Sequence, residues 1–183
     1  MSQWIFIILC LVAGLFVIKL TYVTAVAMSI KSTQGALYVS TSRERIRAVL
    51  DELNLKSGQV LMDLGCGDGR TLRAARKRFK IYAIGYEINP LAYLKARIYS
   101  IGRGLDIRYR NFWNEAIDAA DVIFCYLFPD VMADLAVKVK AEAKPGAMIV
   151  SFNFPIPGLT PIKVLRPAGA RQSDPIYFYQ MPT

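Results

Sequence analysis

The 183-residue sequence contains no histidine and only three cysteines, Cys10, Cys66 and Cys125. The lack of histidine excludes a histidine general base, a Ser-His-Asp triad and a metal ion held by imidazole. The cysteines form no CxxC pair, so the sequence indicates neither a disulfide framework nor a zinc site. We therefore expect no bound metal.

Charged side chains are almost missing from residues 1–30, where Lys19 is the only one. Every residue from Trp4 to Ile18 is apolar or glycine, and the apolar run resumes after Lys19. A bilayer core needs about 20 such residues. The sequence therefore predicts a transmembrane anchor over residues 1–30, followed by a linker over residues 31–40.

Two other interpretations of this segment stay open. Ala25-Val26-Ala27 resembles a signal-peptide cleavage site, although no basic side chain precedes the apolar run as a signal peptide requires. The second is a buried helix of a soluble protein, to which Lys19 gives weight. For an anchor, the positive-inside rule predicts a single-pass protein with a cytoplasmic C-terminal domain, because basic residues such as Lys31 and Arg43 follow the segment and none precedes it.

The net charge of +9 is unevenly distributed along the chain. Residues 41–110 carry 15 basic and 7 acidic side chains, whereas residues 111–183 carry 6 and 7. In a membrane-tethered protein, such a basic half favours anionic lipid headgroups. We expect no nucleic-acid partner, because no basic motif with interleaved aromatic residues is present.

After the linker, helical and extended patterns alternate. Thr41-x-x-Glu44 is a capping box before an amphipathic helix that we expect to end near Asn54. Strand and helix patterns then alternate up to Phe152, which predicts an α/β domain over residues 41–183 with a mostly parallel, doubly wound sheet. The proline-rich segment after Phe152 is too short for another crossover helix, so we expect the last strands to return antiparallel.

Two of the predicted helices have distinctive faces. The helix that begins at the N-cap Asn89 carries four apolar side chains at helical spacing: Leu91, Leu94, Ile98 and Ile101. An earlier helix carries five cations largely on one face: Arg70, Arg73, Arg76, Lys77 and Lys80. We interpret this second face as solvated, with contact to lipid headgroups as the sharper alternative.

The stretch VLMDLGCGDGR, residues 60–70, places a glycine turn between a strand and a helix. Its spacing is GxGxG, whereas dinucleotide-binding turns have GxGxxG. Asp63 and Asp68 beside the turn would repel a pyrophosphate, but they can accommodate the cationic amino group and sulfonium of S-adenosylmethionine. The turn therefore favours S-adenosylmethionine as the cofactor. Glu87 ends the next strand, where a carboxylate can accept hydrogen bonds from ribose hydroxyls, and Asn111-Phe112 ends the third strand, where it can contact the adenine edge.

An acid followed by GxGxG, with a second acid after the next strand, resembles the class I S-adenosylmethionine-dependent methyltransferases. The order LYVSTSRERI, DLGCGDGR, GYEINP, NFW and FNFP is similar to a small group of protein lysine methyltransferases. That group includes archaeal enzymes and the mitochondrial enzymes that modify the ATP synthase c subunit and the adenine nucleotide translocase. The resemblance implies a Rossmann-like fold, a protein lysine acceptor and a segment at Tyr38 that lies near the cofactor. The expected cofactor-binding residues are Tyr38, Asp63, Gly65, Cys66, Gly67, Gly69, Glu87, Ile88, Asn111 and Phe112.

The candidate catalytic residues are Tyr126, Phe128 and Asn153. We expect them at strand ends on the ligand side, where they and Trp113 would line the largely aromatic opening that admits the acceptor. No NPPY or DPPY follows the fourth strand, which disfavours methylation of adenine or a glutamine amide. We interpret the chain as a membrane-anchored methyltransferase that acts on lysine side chains of proteins. We expect these substrates to be membrane proteins, because the anchor confines the enzyme to the membrane. A methyltransferase for a quinone or lipid and a non-catalytic cofactor-binding protein are the alternatives.

Overall fold

A computed structural model of the chain describes residues 3–32, 41–167 and 174–183, with the backbone alone for residues 25–32. The chain divides into two compact units, Met1–Gly35 and Ala36–Thr183. Tyr38, which the sequence predicts near the cofactor, lies outside the described residues, as does most of the predicted linker.

The first unit contains a single long helix, α1 (Gln3–Ser32). Its segment Gln3–Thr24 is long and apolar enough to cross a bilayer, and none of its apolar side chains is buried in the structure. The hydroxyl groups of Thr21 and Thr24 donate hydrogen bonds to the carbonyls of Val17 and Leu20, at 2.8 and 3.1 Å. These bonds satisfy two polar side chains within the helix itself, which an apolar environment requires.

The second unit is built on one seven-stranded sheet in the order β3-β2-β1-β4-β5-β7-β6. The strands are β1 (Val60–Leu64), β2 (Tyr82–Glu87), β3 (Leu105–Tyr109), β4 (Val122–Cys125), β5 (Met148–Phe152), β6 (Lys163–Leu165) and β7 (Ile176–Gln180). The first five in this order are parallel, and β7 pairs antiparallel with both β5 and β6. The predicted mostly parallel sheet is confirmed. The expectation that the last strands return antiparallel holds for β7 but is wrong for β6, which runs parallel to the first five strands.

Helices cover both faces of this sheet. In this unit they are α2 (Arg43–Glu52), α3 (Arg70–Arg78), α4 (Pro90–Tyr99) and α5 (Met132–Glu142). One core cluster joins the sheet to α2, α3 and α4 through residues such as Val49, Leu72 and Ala96. A second cluster on the opposite face joins the sheet to α5, where Leu135 and Val139 are fully buried. The parallel strands therefore read as continuous apolar runs because both of their faces are covered.

The start of α2 differs from the prediction by one residue. Ser42, and not Thr41, is the N-cap, and its hydroxyl accepts the Arg45 N–H at 3.3 Å. The helix ends at Glu52, two residues before the predicted end at Asn54. Thr41 is instead 8% exposed, and its carbonyl accepts a hydrogen bond from Arg70 at 3.2 Å. The first residue of the domain is thus tied to the helix that follows the glycine turn.

The four large apolar side chains that the sequence places at helical spacing on α4 do not lie on the face that packs on the sheet. Ala92 and Ala96 are the buried residues of α4, whereas the four large apolar side chains of the sequence pattern are exposed. The start of α4 agrees with the prediction, since Asn89 accepts the N–H groups of Leu91 and Ala92 at 3.0 and 3.1 Å.

Candidate active site

The residues singled out by the sequence lie at the carboxyl ends of five neighbouring parallel strands. In sheet order, β3 is followed by Asn111, β2 ends in Glu87, β1 leads into the glycine turn, β4 is followed by Tyr126 and β5 by Asn153. With about 4.8 Å between neighbouring strands, this rim spans about 19 Å. In an open α/β sheet, ligands bind at this edge, where the chain crosses to the other side of β1.

The glycine turn requires glycine at three positions. Gly65, Gly67 and Gly69 have φ angles of 85°, 57° and 74°, in the left-handed region that costs other residues about 1–2 kcal/mol. The N–H groups of Gly65 and Cys66 donate to the Tyr86 carbonyl at 3.0 and 2.9 Å, so the end of β2 holds the turn in place.

The Glu87 carboxylate accepts backbone hydrogen bonds both from the glycine turn and from the residues that follow β2. Its Oε2 accepts the Gly67 N–H at 2.8 Å, and its Oε1 accepts the N–H groups of Ile88 and Asn89 at 2.9 and 2.7 Å. Burial raises the pKa of Glu87, although these three bonds work in the opposite direction. Oε2 accepts a single N–H and so retains a lone pair for a ligand hydroxyl.

Asp63 is a buried carboxylate without a partner. It is 6% exposed, and no described residue forms a hydrogen bond or an ion pair with its carboxyl group. Burial, together with the nearby Glu87 and Asp68, raises the pKa of Asp63 to about 7. A buried acid that lacks a counter-ion is an uncompensated cost, which a cationic ligand at this position would remove.

Asp68 behaves differently from Asp63, although the sequence pattern presents them alike. Arg70 binds it through Nε and Nη2 at 3.0 and 2.8 Å, and Arg73 lies 4.0 Å away. Burial alone would raise the pKa of Asp68, but the hydrogen bonds and charge of Arg70 outweigh burial and lower that pKa. The charge of Asp68 is therefore largely neutralised, and Asp63 and Glu87 are the acids that remain for a ligand.

Asn111 and Phe112 begin the short 3-10 helix Phe112–Asn114, after β3. The Oδ1 atom of Asn111 accepts the Trp113 N–H at 3.1 Å and caps this helix. The Nδ2 group of Asn111 and the N–H of Phe112, which precedes the first turn, are the donors left for a ligand. Trp113 packs against Phe112, with ring centroids 4.5 Å apart, and both rings join the core on the α5 side.

Tyr126 and Asn153 meet across the ends of β4 and β5. The Nδ2 group of Asn153 donates to the Tyr126 hydroxyl at 2.9 Å, which leaves the Tyr126 proton and one lone pair for another group. Asn153 has φ = 70° and is the one non-glycine residue with a positive φ in the described part of the chain. Phe128, two residues after Tyr126 in the sequence, is 36% exposed.

Arg45 is the site residue that sequence reasoning missed. It is 1% exposed, and its Nη2 donates to Asn153 Oδ1 at 2.6 Å and to the Asp174 carbonyl at 3.4 Å. Its guanidinium lies 5.9 and 5.3 Å from the ring centroids of Tyr126 and Phe152. No described carboxylate pairs with it, and its Nε and Nη1 atoms are buried without hydrogen-bond partners. A buried, uncompensated cation thus lies directly behind the Tyr126–Asn153 pair.

Cys66 has a packing role beneath the turn. A Cβ atom at Gly85 of β2 would lie 2.7 Å from the Cys66 sulfur and 2.6 Å from Leu72, so the missing side chain at Gly85 makes room for both. Burial, followed by the charges of Asp63 and Glu87, raises the pKa of Cys66 well above its ordinary value. The thiol is therefore neutral at physiological pH. Among the described residues, no group of His, Cys, Asp and Glu side chains is arranged to hold a metal ion.

The fold and the glycine turn together match a known class. A crystal structure described as an RNA methyltransferase from Salinibacter ruber in complex with S-adenosyl-L-homocysteine is similar, with a TM-score of 0.72 and 27% sequence identity. The similarity covers 79% of this chain and 94% of that one. The strand order, the turn and this similarity define a Rossmann-like methyltransferase that uses S-adenosylmethionine as the methyl donor.

Comparison with known sequences identifies the family. The model of the ANTKMT methyltransferase domain matches residues 63–163. A protein-lysine N-methyltransferase of Saccharolobus islandicus is 31% identical over 147 residues, which is 78% of this chain and 91% of the relative. The adenine nucleotide translocase lysine N-methyltransferase of Mus musculus is 33% identical over 132 residues, 70% of this chain but only 57% of that protein. The chain belongs to the ANTKMT methyltransferase domain family, and the predicted class and cofactor are confirmed.

Proposed function

We propose that this protein is a membrane-anchored methyltransferase that transfers methyl groups to lysine side chains of membrane proteins. The observation that carries the proposal is the Tyr126–Asn153 pair backed by buried Arg45, on the same rim as the glycine turn. The names of the archaeal and mouse relatives, both of which specify lysine, support the acceptor. The mouse relative is named for a translocase, which supports a membrane protein as the target.

The residues along the rim offer a binding group for each part of the cofactor. Unpartnered Asp63 suits the cationic amino group, and Oε2 of Glu87 suits a ribose hydroxyl. The Nδ2 of Asn111 and the N–H of Phe112, at the other end of the rim, would bind the adenine edge. Gly65 and Gly67 leave the backbone open to close approach. When bound, S-adenosylmethionine supplies an electrophilic methyl group on a sulfonium.

The acceptor amine must be neutral to react, because an ammonium nitrogen has no lone pair. Arg45 favours the neutral form, since a buried positive charge near the mouth lowers the pKa of an approaching ammonium. Tyr126 can then accept one of the remaining amine N–H bonds, which aims the nitrogen lone pair toward the methyl carbon. The lone pair would form the new N–C bond as the C–S bond of the sulfonium breaks; the electron pair would stay on sulfur, S-adenosylhomocysteine would leave, and the methylated ammonium would lose a proton to solvent. Catalysis on this scheme comes mainly from orientation.

Membrane attachment is the second part of the proposal. Helix α1 supplies a segment of 22 apolar-rich residues, and Lys19 within it can extend its ammonium toward an interface. The basic residues after the segment favour a cytoplasmic methyltransferase domain over residues 41–183. Tethering would raise the effective concentration of acceptors in the same membrane.

Membranes from cells that lack the gene provide the test. They are incubated with the full-length protein and methyl-labelled S-adenosylmethionine, and protein, lipid and RNA are then separated. We expect label in protein, recovered as methylated lysine after hydrolysis. The matched control is Gly67→Val, whose branched side chain would occupy the approach of the cofactor. Label in lipid, in RNA or in no fraction, with the wild-type protein shown to bind the cofactor, would contradict the proposal.

A further inference from the structure

Helix α4 exposes its large apolar side chains. Leu91, Leu94 and Ile98 are 38%, 53% and 52% exposed, and Ile101, in the turn that follows, is 74% exposed. We call these four residues the α4 stripe. In the described domain from residue 41 onward, five of the eleven large apolar side chains that are exposed lie between residues 91 and 101, the fifth being Tyr99. Single exposed apolar residues need no explanation, but a concentrated set on one helix does.

The stripe is exposed because the opposite side of α4 packs on the domain. Ala92 and Ala96 are 5% and 0% exposed, and Tyr93 packs against the core. At about 3.6 residues per turn, these positions lie on the side of the helix opposite to Leu91, Leu94 and Ile98. Small residues suit this side because α4 lies close to the glycine turn: a Cβ added at Gly69 would lie 3.4 Å from the Cβ of Ala96.

Basic side chains border the stripe. Lys95 and Arg97 are exposed on its two edges, and Arg103 follows in the next loop. No acidic residue occurs from Ile88 to Leu105. No described carboxylate pairs with these three cations, in contrast to Arg78, which forms an ion pair with Asp51. An apolar stripe between cations, with no acid present, is the composition of a helix that lies in the interface of an anionic membrane.

The end of α4 adds a cleft to this surface. The cleft has a volume of about 380 Å³ and is lined by residues that include Arg97, Ser100, Ile101 and Gly102. The Ser100 hydroxyl and the neighbouring Arg76 Nε are buried without hydrogen-bond partners. Arg76 reaches this loop, since a Cβ at Gly104 would lie 3.5 Å from its guanidinium. Arg97, which is exposed and lines the cleft, is the cation that a lipid phosphate can contact here.

We propose that the α4 stripe and its flanking cations dock onto the headgroup region of a bilayer that contains anionic phospholipid. The charge of the surface favours an anionic bilayer as the occupant, because cations flank the stripe and no acid occurs from Ile88 to Leu105. The same chain contains a helix long and apolar enough to cross a bilayer, which would hold the domain near a membrane. Each cation near an anionic surface adds to the binding free energy, and burial of the apolar side chains adds further to it.

This orientation has a consequence for the acceptor, which rests on the proposed function. Helix α4 connects the parallel strands β2 and β3 and therefore runs antiparallel to them. If α4 lies flat on the bilayer, the strands lie along the membrane surface and the rim opens sideways at headgroup height. The domain would then reach lysines just outside the hydrocarbon core and not lysines far from the membrane.

Depth-dependent fluorescence quenching tests the docking itself and needs no methyl acceptor. The full-length protein, with Cys10→Ser to remove the exposed cysteine, carries a bimane label at Leu94→Cys or Ile101→Cys. Matched control labels occupy Val137→Cys on α5, which is 70% exposed on the opposite face of the sheet, and Tyr82→Cys, which is 67% exposed. Each variant is reconstituted in vesicles of phosphatidylcholine and phosphatidylglycerol, with or without bromine on the acyl chains.

We expect bromolipid to quench the labels at positions 94 and 101 at least twofold more than those at positions 137 and 82. Replacing Lys95 and Arg97 by Gln, or omitting phosphatidylglycerol, should reduce this difference. Equal quenching at all four positions would overturn the proposal. So would labels at positions 94 and 101 that are shielded from aqueous iodide but not quenched by bromolipid, because a protein surface would then cover the stripe. Neither result depends on whether the enzyme methylates lysine.

Discussion

The Nδ2 group of Asn153 donates a hydrogen bond to the Tyr126 hydroxyl at 2.9 Å, and so joins the ends of two neighbouring strands at the proposed acceptor site. Asn153 reaches this position from a left-handed backbone conformation, with φ = 70°. Strain of this kind persists where surrounding contacts hold it, and here Arg45 binds the other end of the same amide at 2.6 Å. The orientation of the Tyr126 hydroxyl is therefore fixed before an acceptor arrives.

Removing the Tyr126 hydroxyl should slow methyl transfer without weakening the binding of S-adenosylmethionine. For Tyr126→Phe we expect kcat to fall about 10–100-fold, the effect of losing one orienting hydrogen bond of about 1–3 kcal/mol. Calorimetry should give an unchanged affinity for S-adenosylmethionine. Asn153→Asp, which tolerates the left-handed conformation but cannot donate to Tyr126, should have a similar defect. The control is Tyr82→Phe, at the far end of β2. An equal loss of activity in this control, or no loss in Tyr126→Phe, would argue that the Tyr126 hydroxyl does not orient the acceptor.

Replacing Arg45 should lower methyltransferase activity without lowering the free energy of unfolding. Arg45→Met removes a buried charge and two unpartnered N–H groups, so the free energy of unfolding should stay level or rise despite the lost bond to Asn153. Activity should fall, and the acidic limb of the pH–rate profile should move to higher pH because the acceptor ammonium loses its repelling neighbour. Urea unfolding measures the first effect, and kcat at saturating acceptor between pH 6 and 10 measures the second. A pH profile that matches the wild-type profile in shape would remove Arg45 from the mechanism.

Asp63 should make cofactor binding depend on pH. Its pKa is about 7 in the free protein, and a cationic ligand lowers it, so binding releases a proton below that pH. The affinity for S-adenosylmethionine should fall as pH decreases below 7, by up to about tenfold per pH unit. Calorimetry between pH 5.5 and 7.5, in two buffers of different ionisation enthalpy, gives both the affinity and the proton count. An affinity that does not change over this range would contradict the assignment of Asp63.

The same residue has a signature in the stability of the free protein. The pKa of Asp63 rises from an ordinary 3.8 to about 7 on folding, so the folded state binds more protons than the unfolded state between these pH values. This contribution is fully present below pH 3.8 and is lost as pH rises through 7. Asp63→Asn should therefore raise the melting temperature at pH 8 more than at pH 5, while it abolishes cofactor binding.

The sequence was sufficient for features that depend on neighbouring residues. The turn with Gly65, Gly67 and Gly69 was predictable because its backbone admits only glycine, and the acid at Glu87 because it follows a clear buried strand. Arg45 was not predictable, since its burial depends on Asn153, 108 residues away in the chain. The side of α4 that packs on the sheet was not predictable either, because small alanines pack closely beside Gly69, which a pattern of large apolar residues does not reveal. The roles of the site residues stay predictions.

Membrane topology can be measured independently of catalysis. The first 30 residues should span the bilayer, with the methyltransferase domain on the cytoplasmic side. Carbonate washing should leave the protein in the membrane pellet, and protease added to intact cells should spare the domain, whereas detergent should expose it. Release of the protein by carbonate, or a domain cleaved in intact cells, would contradict the proposed anchor or its orientation.

Site-resolved mass spectrometry of the membrane proteome tests lysine transfer most directly. Cells with and without the gene are compared, and the deleted strain is complemented with the wild-type protein or with Gly67→Val. We predict that methylation disappears from one or a few lysines close to the membrane surface and returns with the wild-type protein alone. An unchanged methyl-lysine inventory, together with a methyl group missing from a quinone, a lipid or an RNA, would contradict the proposed function.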